Sequence, residues 1–438
     1  VPEKISGFFI KLFLLTFPFQ IQTMLYKGEL FSGQFNFFAA FFLTLGEIFL
    51  LLSLLFYAVH LFWGSAEQDK VPVNKIRPVE FGLVFSLTAL MVWNLATVLW
   101  AGDKVLSLFL AFRWLELAGL IWLLSRGIIK RETILKYLFW GAFVQVVIAV
   151  GQYIKQGSLG LTFLGEPELG ADYLNVAKVD LGGGKILRSY GTFPHANLFG
   201  GYMFVCLALL IQQINKHNLL RYIHFLVFFL IGLLISFSRS AWLATLVFTM
   251  AILLQKAVKT NWKQLVLLIV SGLFILVVLG LDQVILARIM NFSIQNWDDR
   301  MLFSGIAKEM VAANPIAGVG LGGFIGNMSV YQSGVLSPWL FQPAHNLFLM
   351  VASESGMVGL LVWLIFLFSG IRMIFESMKR LVLTQKFPAK VLLALFCGMM
   401  VLAALDHYMY TLWSGQVLLF MTIGLIYLDY RDHLKALL

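Results

Sequence analysis

The chain has 438 residues, of which 60% are hydrophobic and only 12% charged. A soluble globular chain runs about half apolar and about one quarter charged, so a soluble fold is excluded. The net charge of +10 could suit a nucleic acid. The Lys and Arg residues are spread over short loops rather than gathered in one patch, which excludes that partner too.

The apolar residues come in long blocks, such as Phe35 to Phe62 and Leu265 to Leu281. About 17–25 apolar residues cross the roughly 30 Å hydrocarbon core as a helix. Only helices and closed barrels satisfy their backbone in lipid, and the alternating short segments of an outer-membrane barrel are absent. The expected fold is all-α: a single integral membrane domain over 1–438 with about twelve transmembrane helices. The spans fall near 7–25, 35–62, 79–100, 105–124, 134–154, 198–213, 222–238, 240–255, 265–281, 346–371, 391–405 and 411–429. The first run contains Lys11 and lacks a small-residue cleavage site, so it reads as a span rather than a removed signal. Cys206 and Cys397 lie in apolar segments and imply neither a disulfide framework nor a metal cluster.

Two intervals of mixed composition, 155–197 and 282–345, are rich in Gly, Pro and polar residues and are expected to cap one face. Basic residues choose that face. Lys70, Lys75 and Arg77, then Arg126, Lys130 and Arg131, then Lys216 and Arg221, then Lys256, Lys259 and Lys263, fill alternate loops. Arg372, Lys379, Arg380, Lys386 and Lys390 fill a fifth, and Arg431 and Lys435 lie in the tail. The intervening short loops hold only Lys27, Lys104 and Arg239. The positive-inside rule then places both termini in the cytoplasm and both mixed intervals outside. The same rule divides Tyr222 to Gln255. This apolar run of about 34 residues would be roughly 50 Å of helix, too long for one ordinary span. Basic loops flank both ends, so the chain crosses twice, with a tight turn at Ser236-Phe237-Ser238-Arg239-Ser240. Each arm is short, which puts Arg239 inside the membrane profile.

Four residues on the outer face are candidates for chemistry. Arg239 at membrane depth faces either a polar cavity or, by snorkelling, the interface. Arg300 follows Asp298 and Asp299 and either binds an anion or pairs locally with them. His345 precedes a long apolar helix, whose dipole favours the neutral imidazole that a general base needs; it could equally cap that helix. Arg188 is a loop charge or a ligand, His195 belongs to a loop turn, and Asn197 is a natural cap for the helix that follows. Several arginines beside one base suit an anionic donor, above all a diphosphate, because guanidinium forks pair with phosphate oxygens. Gly318-Val319-Gly320-Leu321-Gly322-Gly323 matches GxGxxG but follows no strand, so it reads as a structural turn. Asp298-Asp299 is weak as a metal site, and no metal or other cofactor is expected.

Three pieces of sequence carry a family resemblance: Gly191-Thr192-Phe193-Pro194-His195-Ala196-Asn197; Ser238-Arg239-Ser240-Ala241-Trp242-Leu243-Ala244; and Asn314-Pro315-Ile316-Ala317-Gly318-Val319-Gly320-Leu321-Gly322-Gly323-Phe324. The last is followed by Pro343-Ala344-His345-Asn346-Leu347-Phe348-Leu349 and Glu354-Ser355-Gly356-Met357-Val358-Gly359-Leu360. In these, over roughly its second half, the chain resembles the O-antigen ligase and polysaccharide polymerase superfamily of bacterial inner membranes. The resemblance implies a C-type glycosyltransferase fold with no nucleotide-sugar site. It implies a glycan on undecaprenyl diphosphate as donor and transfer outside the inner membrane, metal-independent and with inversion. The acceptor would be a hydroxyl on a glycan, lipid or protein. His345, Arg239 and Arg300 match the positions implicated in the ligases, with Arg188, Asn197 and Asn346 as substrate-binding residues. Other readings are a protein O-oligosaccharyltransferase and, in a different class, a flippase for the lipid-linked glycan. A flippase usually carries repeated halves, and none stands out.

Overall fold

A computed structural model describes residues 1–63, 78–170, 172–173, 176–181, 184–214, 219–254, 282–290, 294–332, 334–381 and 387–435. The expected span 265–281 and the basic residues Lys70, Lys75, Arg77, Lys216, Lys256, Lys259, Lys263 and Lys386 lie outside the described residues. The elements run α1 (Pro2–Thr16), β1 (Gln22–Tyr26), β2 (Leu30–Phe31), β3 (Gln34–Phe35), β4 (Phe41–Thr44), α2 (Leu45–Trp63), α3 (Pro78–Thr97), α4 (Lys104–Arg126) and α5 (Arg131–Lys155). They continue with β5 (Lys178–Asp180), β6 (Lys185–Leu187), α6 (Ala196–Gln213), α7 (Leu219–Ile235), α8 (Arg239–Leu254), α9 (Asp282–Met290), α10 (Ile294–Ala313) and α11 (Phe324–Tyr331). The last are α12 (Leu347–Arg380), α13 (Phe387–Leu405), α14 (Tyr408–Thr411) and α15 (Trp413–Lys435).

The chain is an all-α polytopic membrane protein. Among the described residues seven helices, α2 to α6, α12 and α13, are long and apolar enough to cross a membrane; α7 and α8 are apolar but shorter. Two expected spans are corrected. Residues 35–62 are not one helix: β3 and β4 occupy the first part and α2 starts at Leu45. The reason is local. Thr44 and Glu47 form a reciprocal capping box, each backbone N–H donating to the other's side chain at 3.1 Å, and such a box fixes a helix start. Asn36 turns the chain before it, accepting from Phe38 N and donating to Phe341 O at 2.7 Å. The expected span 7–25 likewise stops at Thr16, and β1 pairs antiparallel with β4, Gln22 opposite Thr44.

Helix α6 is the centre of the bundle. Almost every one of its residues is buried, as befits a helix that is apolar all round. It packs on α7, α8 and α13. Gly200 and Gly201 permit the closest approaches: a Cβ on Gly200 would lie 2.8 Å from Ser238 Cβ, and one on Gly201 2.2 Å from the Tyr408 hydroxyl. Those two contacts bring the α7–α8 turn and the α13–α14 break to the start of α6. The turn falls where the sequence placed it, at 236–238.

The break in α12 has a matching logic. Gly356 sits at φ +67°, and a Cβ there would be 2.0 Å from Ile316 O. The interruption releases the Ser353 and Glu354 carbonyls, which accept from Val319 N and Gly320 N at 2.9 Å. The Glu354 carboxylate takes Gly322 N at 3.0 Å and Phe324 N at 3.1 Å. The glycine-rich run is thus a turn docked on α12, and it holds the 314–345 segment over one end of the bundle. The opposite end carries the Arg131–Asp429 ion pair at 2.7 Å and the hydrogen bond from Arg431 to Ser125 O.

Candidate active site

Two glutamines in α5, seven residues apart and so on one helix face, hold down the segment that enters α6. Gln152 Oε1 accepts from Tyr190 N at 3.0 Å and Gly191 N at 2.9 Å; Gln145 Oε1 accepts from Thr192 N at 2.8 Å. The β5–β6 hairpin feeds this segment and presents Arg188, which is only 4% exposed. Its Nε donates to Ser236 O at 2.8 Å and its Nη2 to Asn197 Oδ1. The helix cap is corrected here. His195, not Asn197, caps α6, its Nδ1 accepting from Asn197 N at 3.1 Å. The Asn197 side chain is thereby released to bridge Arg188 to Asp406, donating to Asp406 Oδ2 at 2.7 Å.

Asp406 is the hub. It lies in the break between α13 and α14, where its Oδ1 accepts from His407 N at 2.9 Å and stands 3.4 Å from His345 Nδ1. Burial alone would raise its pKa. The hydrogen bond and charge of His345, then the charges of His407 and His195, outweigh this and hold the carboxyl well below the usual range. The rings of His345 and His407 are 5.2 Å apart. Asn346, not His345, caps α12: its Oδ1 accepts from Leu349 N, and its Nδ2 donates to Ala404 O, both at 3.0 Å. Both ends of that amide are committed to structure, and His345 is left to the carboxylate.

Helix C-termini expose unpaired carbonyls, and arginines cap them around this hub. Arg300 donates to Leu405 O at 3.3 Å rather than to its neighbouring aspartates, and Arg288 Nε donates to Phe237 O at 3.1 Å. Arg239 opens α8. The four guanidinium groups are near enough to repel one another. Burial first, and then Arg188, Arg239 and Arg300, lower Arg288 to about 9. Burial likewise lowers Arg188 to about 10, opposed by Tyr190 and Asp406 and helped by Arg239 and Arg300. Four guanidinium groups so close together, with one carboxylate beside Arg188, have the chemistry to pair with an anion. His345, Asp406 and His407 offer ligand atoms within 4.8 Å of one another, a spacing that could hold a cation. Asp406 is already engaged by Asn197 and His407, and the neighbouring arginines oppose a second positive charge, so the set fits an anion site better than a metal.

Sequence reasoning missed Asp406, His407 and Arg288. A usable signal was present for the first two: an acid and a histidine interrupting two apolar runs. Asp298 is exposed and Asp299 half-buried on α10, with the Asp299 carboxyl raised by burial and by Asp298.

His407 is buried and His195 half-buried, and desolvation first of all pushes both down to about 3. An unfolded chain protonates its histidines near 6.5. Groups depressed by folding contribute fully above about 6.5 and lose that contribution as pH falls toward 3, because only the unfolded state takes up protons. Thermal unfolding should therefore show a lower Tm at pH 5 than at pH 7.5, on the order of 2 kcal/mol per histidine. His407→Gln should flatten that dependence; an unchanged slope would refute the assignment.

The fold and site together define a polytopic membrane protein with a cluster of arginines beside a histidine–carboxylate pair. Residues 224–364 match the family described as O-antigen ligase, and the match supports an O-antigen ligase-like family for this chain. It supports an O-antigen ligase- or polymerase-like function in general. The matched segment contains Arg239, Arg288, Arg300 and His345, while Arg188, Asn197, Asp406 and His407 lie outside it. No curated protein matches the chain.

Proposed function

We propose that the protein is a glycosyltransferase moving a glycan from undecaprenyl diphosphate to an acceptor hydroxyl on the outer face of the bacterial inner membrane, without a metal. The observation that carries this reading is the clustering of Arg188, Arg239, Arg288 and Arg300 beside one another, with Arg188 joined through Asn197 and Arg300 through Leu405 O to the neighbourhood of the Asp406–His345 pair. Asp406 facing Nδ1 favours the tautomer with its proton there, which leaves Nε2 as the basic nitrogen. His345 Nε2 takes the proton from the acceptor hydroxyl. The acceptor oxygen forms its bond to the anomeric carbon as the bond from that carbon to the phosphate oxygen breaks. The electron pair leaves with the diphosphate, and the arginines hold the developing charge. Attack opposite the leaving group inverts the anomeric centre. The arginine cluster lies at the end of the bundle away from Arg131 and Arg431, which supports an outward site and cytoplasmic termini under the positive-inside rule.

Reconstitution with undecaprenyl-diphosphate glycan and a panel of glycan, lipid and peptide acceptors, read by mass, tests this. The expected product is the acceptor plus the glycan, with undecaprenyl diphosphate released. Arg239→Gln should reduce transfer about 100-fold, the scale of losing one preorganised charge-stabilising donor. Glycan crossing the bilayer without transfer to any acceptor would replace the proposal with a flippase.

A further inference from the structure

Two histidines of the site are held in opposite ways, and the difference gives them different chemistry. His345 turns Nδ1 to a carboxylate, Asp406 Oδ1, at 3.4 Å. His195 turns Nδ1 to a backbone donor, Asn197 N, at 3.1 Å. A ring nitrogen that accepts an N–H carries a lone pair, so neutral His195 has its proton on Nε2. At Nε2, then, His345 presents a lone pair and His195 presents an N–H.

The helix cap also fixes the charge of His195. A proton on Nδ1 would set N–H against N–H at the start of α6. With its one lone pair committed to the cap, His195 is no rival to His345 as a base. What it offers is a single uncharged donor. That donor makes no hydrogen bond among the described residues, and it is not sealed in the interior as the buried orphan atoms are. The charges of Arg188, Asp406, His345 and Arg300 lie within electrostatic reach of the ring. The acceptors close by are engaged. Asn197 Oδ1 holds Arg188 Nη2, and Asp406 Oδ2 holds Asn197 Nδ2. Asp406 Oδ1 holds His407 N and faces His345. Tyr190 gives the ring an edge contact, centroids 5.9 Å apart, and its hydroxyl oxygen accepts from Ala177 N at 2.7 Å. A donor among guanidinium groups whose local acceptors are engaged matches a ligand rich in acceptor oxygens and negative charge. Being neutral, it adds a hydrogen bond to such a ligand without adding to the repulsion among the arginines.

We propose that His195 is a diphosphate-binding residue: its Nε2–H, set in place by the helix cap, donates to a phosphate oxygen of the diphosphate that the neighbouring arginines grip. Calling that diphosphate the leaving group rests on the transferase reading above; the hydrogen bond itself does not.

The full chain, isotope-labelled on its histidine nitrogens, is titrated in detergent with farnesyl diphosphate and, separately, with inorganic phosphate. The His195 resonances, assigned by their loss in His195→Asn, should show a lone pair at Nδ1 and a proton at Nε2. Farnesyl diphosphate should move that Nε2–H proton downfield. Asn keeps a side-chain oxygen that caps a helix, while its shorter amide stops short of the position of Nε2. His195→Asn should therefore hold the Tm near that of the parent and weaken farnesyl diphosphate binding about tenfold or more, the scale of one hydrogen bond to a charged group. His195→Ala loses cap and donor together and should show the same binding loss with a lower Tm. A proton on Nδ1, an Nε2–H resonance indifferent to farnesyl diphosphate, or unchanged binding by His195→Asn overturns the proposal and leaves the arginine cluster as the diphosphate site. An equal response to inorganic phosphate at equal concentration overturns the assignment to a diphosphate. A parent that binds no farnesyl diphosphate removes this proposal and the donor reading together. A parent that binds it through His195 yet transfers glycan to no acceptor sinks the transferase reading alone.

Discussion

Replacing His345 with Ala is expected to cut glycan transfer by about 100- to 10,000-fold, the range a positioned general base supplies. Donor binding should stay within about threefold of the parent, because guanidinium groups rather than this imidazole hold the anion. The separation of the two effects is the informative part. His345 is 19% exposed at its side chain, and Asn346 rather than His345 caps α12, so removing the imidazole leaves no buried donor orphaned and the helix intact. Transfer measured by mass from a defined undecaprenyl-diphosphate glycan, alongside farnesyl diphosphate binding, reads both quantities. A variant that transferred within tenfold of the parent would remove His345 from the chemistry and shift attention to His407, 5.2 Å away ring to ring.

Asp406→Asn should be costly in two currencies, rate and stability. The carboxylate accepts from Asn197 Nδ2 and His407 N and faces His345 Nδ1. An amide has only one acceptor oxygen, so one side of the site would meet N–H with N–H. Hydrogen bonds to a charged group contribute about 1.5–3 kcal/mol each. The substitution also deletes the carboxylate that offsets Arg188. We expect transfer to fall about 100-fold or more and the Tm to drop by several degrees. Inorganic pyrophosphate, by supplying negative charge to the cluster, should restore part of the lost Tm in the variant and stabilise the parent less. A Tm deficit indifferent to pyrophosphate would mean that Asp406 acts through packing alone. In rate, the double variant with His345→Ala should lose little beyond the His345→Ala loss, because groups that act as a unit are not additive.

Much of the fold and part of the site were legible in the chain. Arg239 could be placed at a helix–turn–helix tip because a long apolar run flanked by basic loops must cross twice. The glycine run 318–323 could be read as a turn because no strand precedes it. The start of α2 was missed although Thr44 and Glu47 spell a capping box, because the apolar stretch from Phe35 masked the turn. Asn197 looked like the cap of α6, but His195 is as able a local acceptor, and the choice between them is made by where Arg188 and Asp406 stand. Asp406 and His407 lay in plain view between two apolar runs and had no assigned partner.

The sequence by itself determined that this chain crosses a membrane many times and that its arginines and His345 gather on one face, because hydropathy and charge are local quantities read along the chain. Tertiary structure decided which carboxylate orients His345 and which amide bridges Arg188 to it. Those pairings join residues 61 and 209 positions apart, and separations of that size are set by how α6, α12 and α13 pack, not by any spacing within one segment.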